Sequence, residues 1–269
     1  MKTDAGKLAE SNFSTYAHPL VVQAIEQASS LEGEPDAEKL HKLRVALRRL
    51  RTLLWAYRPI LDEDFETQQR ALFKYLANAA GNTRDWDILI GLVKKHAKQD
   101  LLDALTKNRV DASATSRETL SNADLSHVLR GAVSEANREL NTAHARTPLS
   151  RFARKRVTAA QRQLEKRMHK AAKARRTDYA SLHDVRKAGK KVRYLIEFFE
   201  PLLGKKQRKG IKSLKRLQKR LGALNDVVAS RALLDKHRSA LPGGSGAGRA
   251  LRSLKKEQKR RMQAAAKLL

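Results

Sequence analysis

Apolar residues recur at three- and four-residue spacing along nearly the whole chain, and nowhere is the alternation of a half-buried strand sustained. Leu40, Leu43, Leu47, Leu50 and Leu54 form one such seam, and Leu182, Val185, Val192 and Ile196 form another. With only six prolines to interrupt it, this pattern predicts an all-α protein. Apolar spacing and breakers place helices near 14–30, 36–58, 62–80 and 84–98, with further ones across 100–145. In the second half they fall near 148–175, 178–200, 205–222, 225–240 and 248–267. The stretch 106–124, rich in Ser, Thr, Asn and Asp, reads as a loop or an irregular insertion. The glycine-rich run Leu241–Gly248 reads as a flexible loop, because no strand precedes it and no Gly-Lys-Ser/Thr ending follows, as a phosphate-cradling loop would require.

Beside both seams runs a repeated row of cations. His41-x-x-Arg44-x-x-x-Arg48-Arg49-x-Arg51 returns 142 residues later as His183-x-x-Arg186-x-x-x-Lys190-Lys191-x-Arg193, and each copy runs on to a proline, Pro59 and Pro201. At ~100° per residue, His41, Arg44, Arg48 and Arg51 share one stripe next to the leucine stripe, as do His183, Arg186, Lys190 and Arg193 next to theirs. The likeness continues in Gly81-Asn-Thr-Arg84-Asp85 and Gly222-Ala-Leu-Asn225-Asp226. Each glycine is expected to end a helix in the left-handed conformation, and each aspartate to cap the next helix. The chain therefore reads as a duplicated unit, residues 10–145 and 146–269. Short turns between the predicted helices imply two antiparallel four-helix bundles.

Charge sharpens the picture. Lys and Arg number 57 against 28 Asp and Glu, a formal net charge of +29, a self-repulsion that a bound polyanion would relieve. The 41% hydrophobic content is enough for a core, and the absence of cysteine excludes disulfides and thiolate-ligated metals. No apolar segment opens the chain, and the densest apolar stretch, Ile88–Val93, is far too short to span a bilayer. A soluble cytoplasmic protein is expected.

Rows of Lys and Arg beside an apolar face are usually solvated helix surface. Here the row is duplicated, opens with His each time, and has few acidic partners: from His183 to Arg220 there are fourteen cations and three acids. Lys212, Lys215 and Lys219 add a further face in the second half, matched more thinly by Lys74 in the first, and Arg84 follows the first glycine. If the two helical hairpins face each other, these rows would line a shared basic groove suited to a linear polyanion. Beside such a ligand, His41 and His183 would act as pH-sensitive donors. No HxxxH or HExxH spacing occurs, so no metal or other cofactor is expected.

These motifs, with Leu221-Gly222-x-Leu-Asn225-Asp226 and Tyr194 after Arg193, resemble the CHAD family, the conserved-histidine α-helical domain, over roughly residues 10–240. The resemblance implies a pair of four-helix bundles related by a pseudo-twofold axis, a basic central cavity, and non-enzymatic binding of inorganic polyphosphate, often at polyphosphate granules. The matching positions expected to bind the ligand are His41, Arg44, Arg48, Arg49, Arg51, Arg84, His183, Arg186, Lys190, Lys191 and Arg193, and the spacing of the following helices adds Lys74, Lys212, Lys215 and Lys219 to that expected set. Two departures stand out: Glu197 and Glu200 follow the second row where Trp55 and Arg58 follow the first, and Asn225 stands where the first half has Arg84. Two alternatives stay open. Such a basic chain also binds nucleic acid non-specifically at low salt. An enzyme acting on polyphosphate would need metal-holding carboxylates, for which Asp85 and Asp87 are the one suggestive pair near the motifs.

Overall fold

A computed structural model describes residues 7–30, 37–144, 146–175, 178–242, 244 and 246–269. Among them are eleven α-helices: α1 Phe13–Ser29, α2 Ala37–Tyr57, α3 Glu63–Ala79, α4 Asn82–Val93, α5 Gln99–Ser121, α6 Leu125–Thr142, α7 Leu149–Lys173, α8 Tyr179–Phe199, α9 Lys205–Arg208, α10 Ile211–Lys236 and α11 Ala247–Ala266. The fold is all-α. The sole β pairing among the described residues is a single antiparallel bridge between Leu8 and Pro148. Among the described residues, no helix is long and apolar enough to cross a membrane. Helix starts follow side-chain chemistry: the Asp62 carboxylate accepts from Phe65 N–H at 2.8 Å to open α3, and Asp178 accepts from Ser181 N–H at 3.2 Å to open α8.

Two expectations are corrected. The polar stretch 106–124 is helix, with α5 running through it to Ser121. Its Ser, Thr and Asn side chains turn back on the helix: Thr106 donates to the Leu102 carbonyl, Asn108 to Ala104 and Thr119 to Thr115, each at 2.8 Å. Ser116, buried, donates to the Ala79 carbonyl at 2.8 Å. Back-bonding of this kind to the i−4 carbonyl costs a helix only slightly, so these side chains do not break α5. The other correction concerns Gly222. It ends no helix, because the buried seam Leu214, Leu217, Leu221, Leu224, Val227 and Leu234 carries α10 straight through it, outweighing the modest propensity cost of one glycine. Asn225 and Asp226 are thus mid-helix side chains rather than caps. Gly81 does fall in a turn, between α3 and α4, but without the positive φ expected of it. In the glycine-rich run, Gly243 and Ser245 lie outside the described residues.

The helices pack as two compact units that do not follow the sequence halves 10–145 and 146–269. Unit one comprises the described residues up to Gly81, Thr115–Gln161 and Lys191–Lys209; unit two comprises Asn82–Ala114, the described residues of Arg162–Lys190, and those of Gly210–Leu269. Helices α5, α7 and α8 are each divided between them. In unit one an aromatic core gathers Phe13, Tyr57, Phe152 and Phe199, with the Phe13–Tyr57 ring centroids 5.0 Å apart and those of Tyr57 and Phe152 4.8 Å apart. The buried Tyr57 hydroxyl donates to the Ala9 carbonyl at 3.1 Å. In unit two the core joins Trp86, Leu89 and Val93 of α4 to Val227 and Leu234 of α10 and to Ala250 and Leu254 of α11.

Candidate functional site

In unit one, the leucine seam of α2 is fully buried, so the neighbouring stripe is drawn toward the protein rather than into water: His41, Arg44, Arg48, Arg49 and Arg51 are all half-buried. Arg44 Nη1 donates to the Gly81 carbonyl at 3.3 Å. Arg51 holds its proton less firmly than a free guanidinium, first because of burial and then because of neighbouring Arg70. Arg70 pairs at 3.0 Å with Glu66, which is 1% exposed. Arg156 is weakened likewise, by burial and then by Arg58, with Glu66 opposing. Like-charged guanidinia are therefore held together in a partly dehydrated place, which favours an anion between them.

Other cations of the predicted set are engaged in packing within unit one. Arg49 lies over the Phe198 and Tyr194 rings, 5.3 and 5.9 Å from their centroids, and reaches Glu197 at 3.8 Å. Arg193 takes the other oxygen of the same carboxylate at 3.0 Å. Lys191 Nζ sits 3.8 Å from the centroid of the Trp55 ring. Arg156 lies 4.3 Å from that ring and donates to the Trp55 carbonyl at 2.8 Å. Arg49 and Lys191 therefore help clamp α2 to the end of α8, while Arg193 braces Glu197 within α8. Lys74 is exposed on α3.

In unit two, cations from three helices converge on one carboxylate. Arg186 and Lys190 of α8, Arg261 of α11 and Arg84 of α4 each pull the Asp226 carboxyl toward ionisation, yet burial outweighs all four and raises its pKa above the ordinary carboxylate value. Beside this cluster the Tyr179 hydroxyl donates to Asn225 Oδ1 at 3.1 Å and shares a 3.1 Å contact with His183 Nδ1. The Tyr179 hydroxyl thus links Asn225 to His183, with the direction of its hydrogen bond to Nδ1 set by the His183 tautomer. The His183 pKa is lowered, chiefly by burial and then by Lys187 and Arg186, while Asp184 and Asn225 oppose the shift. Asp184 is itself paired with Lys187 at 2.8 Å and Arg167 at 3.0 Å. Glu257 accepts hydrogen bonds from Arg260 and Arg261, which hold its pKa down to about 2. Lys212, Lys215 and Lys219 are exposed on α10.

The predicted site residues thus fall into three groups: half-buried cations facing one another or an internal carboxylate, cations stacked on aromatic rings, and exposed lysines. Reading the sequence missed Arg156, Arg261 and the carboxylate Asp226, and placed Arg70 only in a thin row beside Lys74. Arg261 lies on α11, outside the repeated motif, and Asp226 followed a glycine in the manner of a helix cap. Among the described residues, no three His, Asp or Glu side chains come together to hold a metal ion.

The family model described as the CHAD domain matches residues 16–235. Among solved structures, the crystal structure of the CHAD domain from the plant Ricinus communis superposes with a TM-score of 0.82 at 23% identity, covering 100% of this chain and 93% of that one. PptA from Streptomyces chartreusis superposes with a TM-score of 0.68 at 17% identity, covering 97% and 98%. At these identities the structural likeness concerns the fold. No curated protein matches the chain.

Proposed function

This chain belongs to the CHAD domain family, and from that premise we propose that it binds inorganic polyphosphate as a non-enzymatic capture protein. The observation that carries the reading is the half-buried, mutually repelling cations in each unit. In unit one, burial and Arg70 both loosen the proton of Arg51; in unit two, four cations surround a single carboxylate. Such clusters favour a ligand with closely spaced negative charge and no need for base recognition. Polyphosphate meets that description, with about one charge per phosphorus and nothing for an aromatic ring to stack on. Aromatic residues make up only 5% of this chain, and Trp55, Tyr194 and Phe198 already face cations of unit one.

Within this reading, His41, Arg44, Arg48 and Arg51 of unit one and His183, Arg186, Lys190 and Arg84 of unit two contact the ligand directly. Lys74, Lys212, Lys215 and Lys219 supply long-range attraction, and Arg49, Lys191 and Arg193 act mainly through packing. Calorimetric titration with long-chain polyphosphate tests the proposal, with phosphate release followed in the same samples with Mg²⁺ present. Binding without release supports a capture protein; sustained release would make it an enzyme, and no heat would sink the reading.

A further inference from the structure

Gly81 lies against the tip of Arg44. A Cβ placed on it would stand 2.6 Å from Arg44 Cζ, 2.7 Å from Nη1 and 2.8 Å from Nε, well inside the ~3.5 Å at which carbon contacts become favourable. Its three nearest neighbours are thus all atoms of one guanidinium, and among the described glycines no other would bring a Cβ within 3.0 Å of anything. The backbone does not ask for glycine here. Among the described residues positive φ belongs to Asp124, Gly210, Gly244 and Gly246, and Gly81 N–H donates to the Asn78 carbonyl at 2.8 Å in an ordinary turn. Gly222, its counterpart in the second motif, has nothing within 4 Å of a built Cβ.

We propose that Gly81 is a positioning residue: its missing side chain forms the seat that fixes the Arg44 guanidinium on the cationic face of α2. The inference rests on the polyphosphate reading, in which Arg44 is a ligand contact. A guanidinium grips phosphate through two parallel N–H groups only when its plane is fixed, and holding it against the Gly81 carbonyl removes the rotamer cost of ordering it at binding. A methyl group at position 81 displaces a flexible tip rather than backbone, so the fold survives while the oriented contact is lost.

The seat is read without ligand from the Arg44 Nε–Hε resonance, which is expected to be resolved in the wild type and to collapse to the free-arginine position in Gly81→Ala. Binding then reads its consequence. Gly81→Ala is expected to weaken long-chain polyphosphate binding about tenfold, nearly as much as Arg44→Gln, with the double variant no weaker than Arg44→Gln alone. Gly222→Ala should bind like the wild type. An unmoved Arg44 resonance, wild-type affinity in Gly81→Ala, or losses that multiply in the double variant would each overturn the inference. A wild type that shows the ordered resonance but binds no polyphosphate overturns the functional reading instead, and leaves Gly81 as the seat of an arginine with another task. Should Gly81→Ala fail to fold, adding Arg44→Lys, whose tip is smaller, is expected to restore folding; failure to restore it overturns the inference.

Discussion

Replacing Asp226 by Asn removes a negative charge from the middle of a proposed anion site, so it should strengthen binding where most substitutions weaken it. Arg84, Arg186, Lys190 and Arg261 all act on this carboxylate, and a phosphate held by the same cations would sit on the order of 6 Å from it. Two unit charges at that distance repel by about 0.7 kcal/mol in water and about 1.4 kcal/mol at an effective dielectric of ~40. Asp226→Asn is therefore expected to tighten long-chain polyphosphate binding about three- to tenfold near neutral pH. Stability moves the same way. The folded-state pKa of Asp226 is raised by burial, so folding favours its protonated form and the ionised form destabilises the native state. That penalty is present above the folded pKa and vanishes as pH falls below the unfolded value of about 3.9. The variant should thus melt no lower than the wild type at pH 7, and any advantage should disappear in acid. In wild type, polyphosphate binding should take up a proton and tighten as pH falls through the raised Asp226 pKa; the Asn variant should lose that part of the dependence. Titration calorimetry of both chains at ~0.15 M salt, at pH 7.5 and 5.5, decides it. An Asn variant that folds normally but binds more weakly, or with wild-type proton uptake, would refute the claim that these four cations hold the ligand.

The exposed row gives a contrasting case: changing Lys212, Lys215 and Lys219 together to Gln should weaken binding no more than the single change Arg186→Gln. Exposed charges are each worth at most about 1 kcal/mol and are screened within ~8 Å at physiological salt, so a salt titration of both variants checks the ranking. Arg49→Ala should cost about 1–2 kcal/mol of stability, through lost ring stacking and its ion pair with Glu197, while polyphosphate affinity stays within about twofold; denaturant unfolding and titration of the same preparation separate the two effects. For the histidines, the lowered His183 pKa sets the lower edge of its ligand-linked proton uptake below the ordinary value of ~6.5, and the charge of a bound polyanion extends that window upward. His41→Gln with His183→Gln should therefore flatten the affinity change between pH 6.5 and 5.5 in an Asp226→Asn background, a result read from calorimetry in buffers of different ionisation enthalpy.

Much of the helix plan was legible because burial follows local spacing. Every member of the α2 seam, Leu40, Leu43, Leu47, Leu50 and Leu54, is at most 3% exposed, and α7, α8 and α11 begin and end within a residue or two of their expected positions. What spacing cannot encode is where side chains go next. The hydroxyls of α5 read as loop chemistry because nothing local tells that Thr106 and Thr119 turn back on their own helix and that Ser116 finds the Ala79 carbonyl. Gly222 read as a helix end because its propensity is local, whereas the seam that carries α10 past it is buried by other helices. The site divides the same way. The stripes on α2 and α8 were visible as periodic cations, but which of them face an anion and which stack on Trp55, Tyr194 or Phe198 depends on tertiary packing. Asp226 and Arg261, 35 residues apart in sequence, come together only because α10 packs against α11.

The central claim is that half-buried cations in this chain select a dense, base-free polyanion, and competition tests it most directly. Labelled long-chain polyphosphate bound to the wild-type protein at about 0.3 M salt, where the Debye length is under ~8 Å and surface attraction is largely screened, should resist duplex DNA at equal phosphate concentration and be displaced by unlabelled polyphosphate. Displacement by DNA as readily as by polyphosphate would contradict the account and leave only generic basicity.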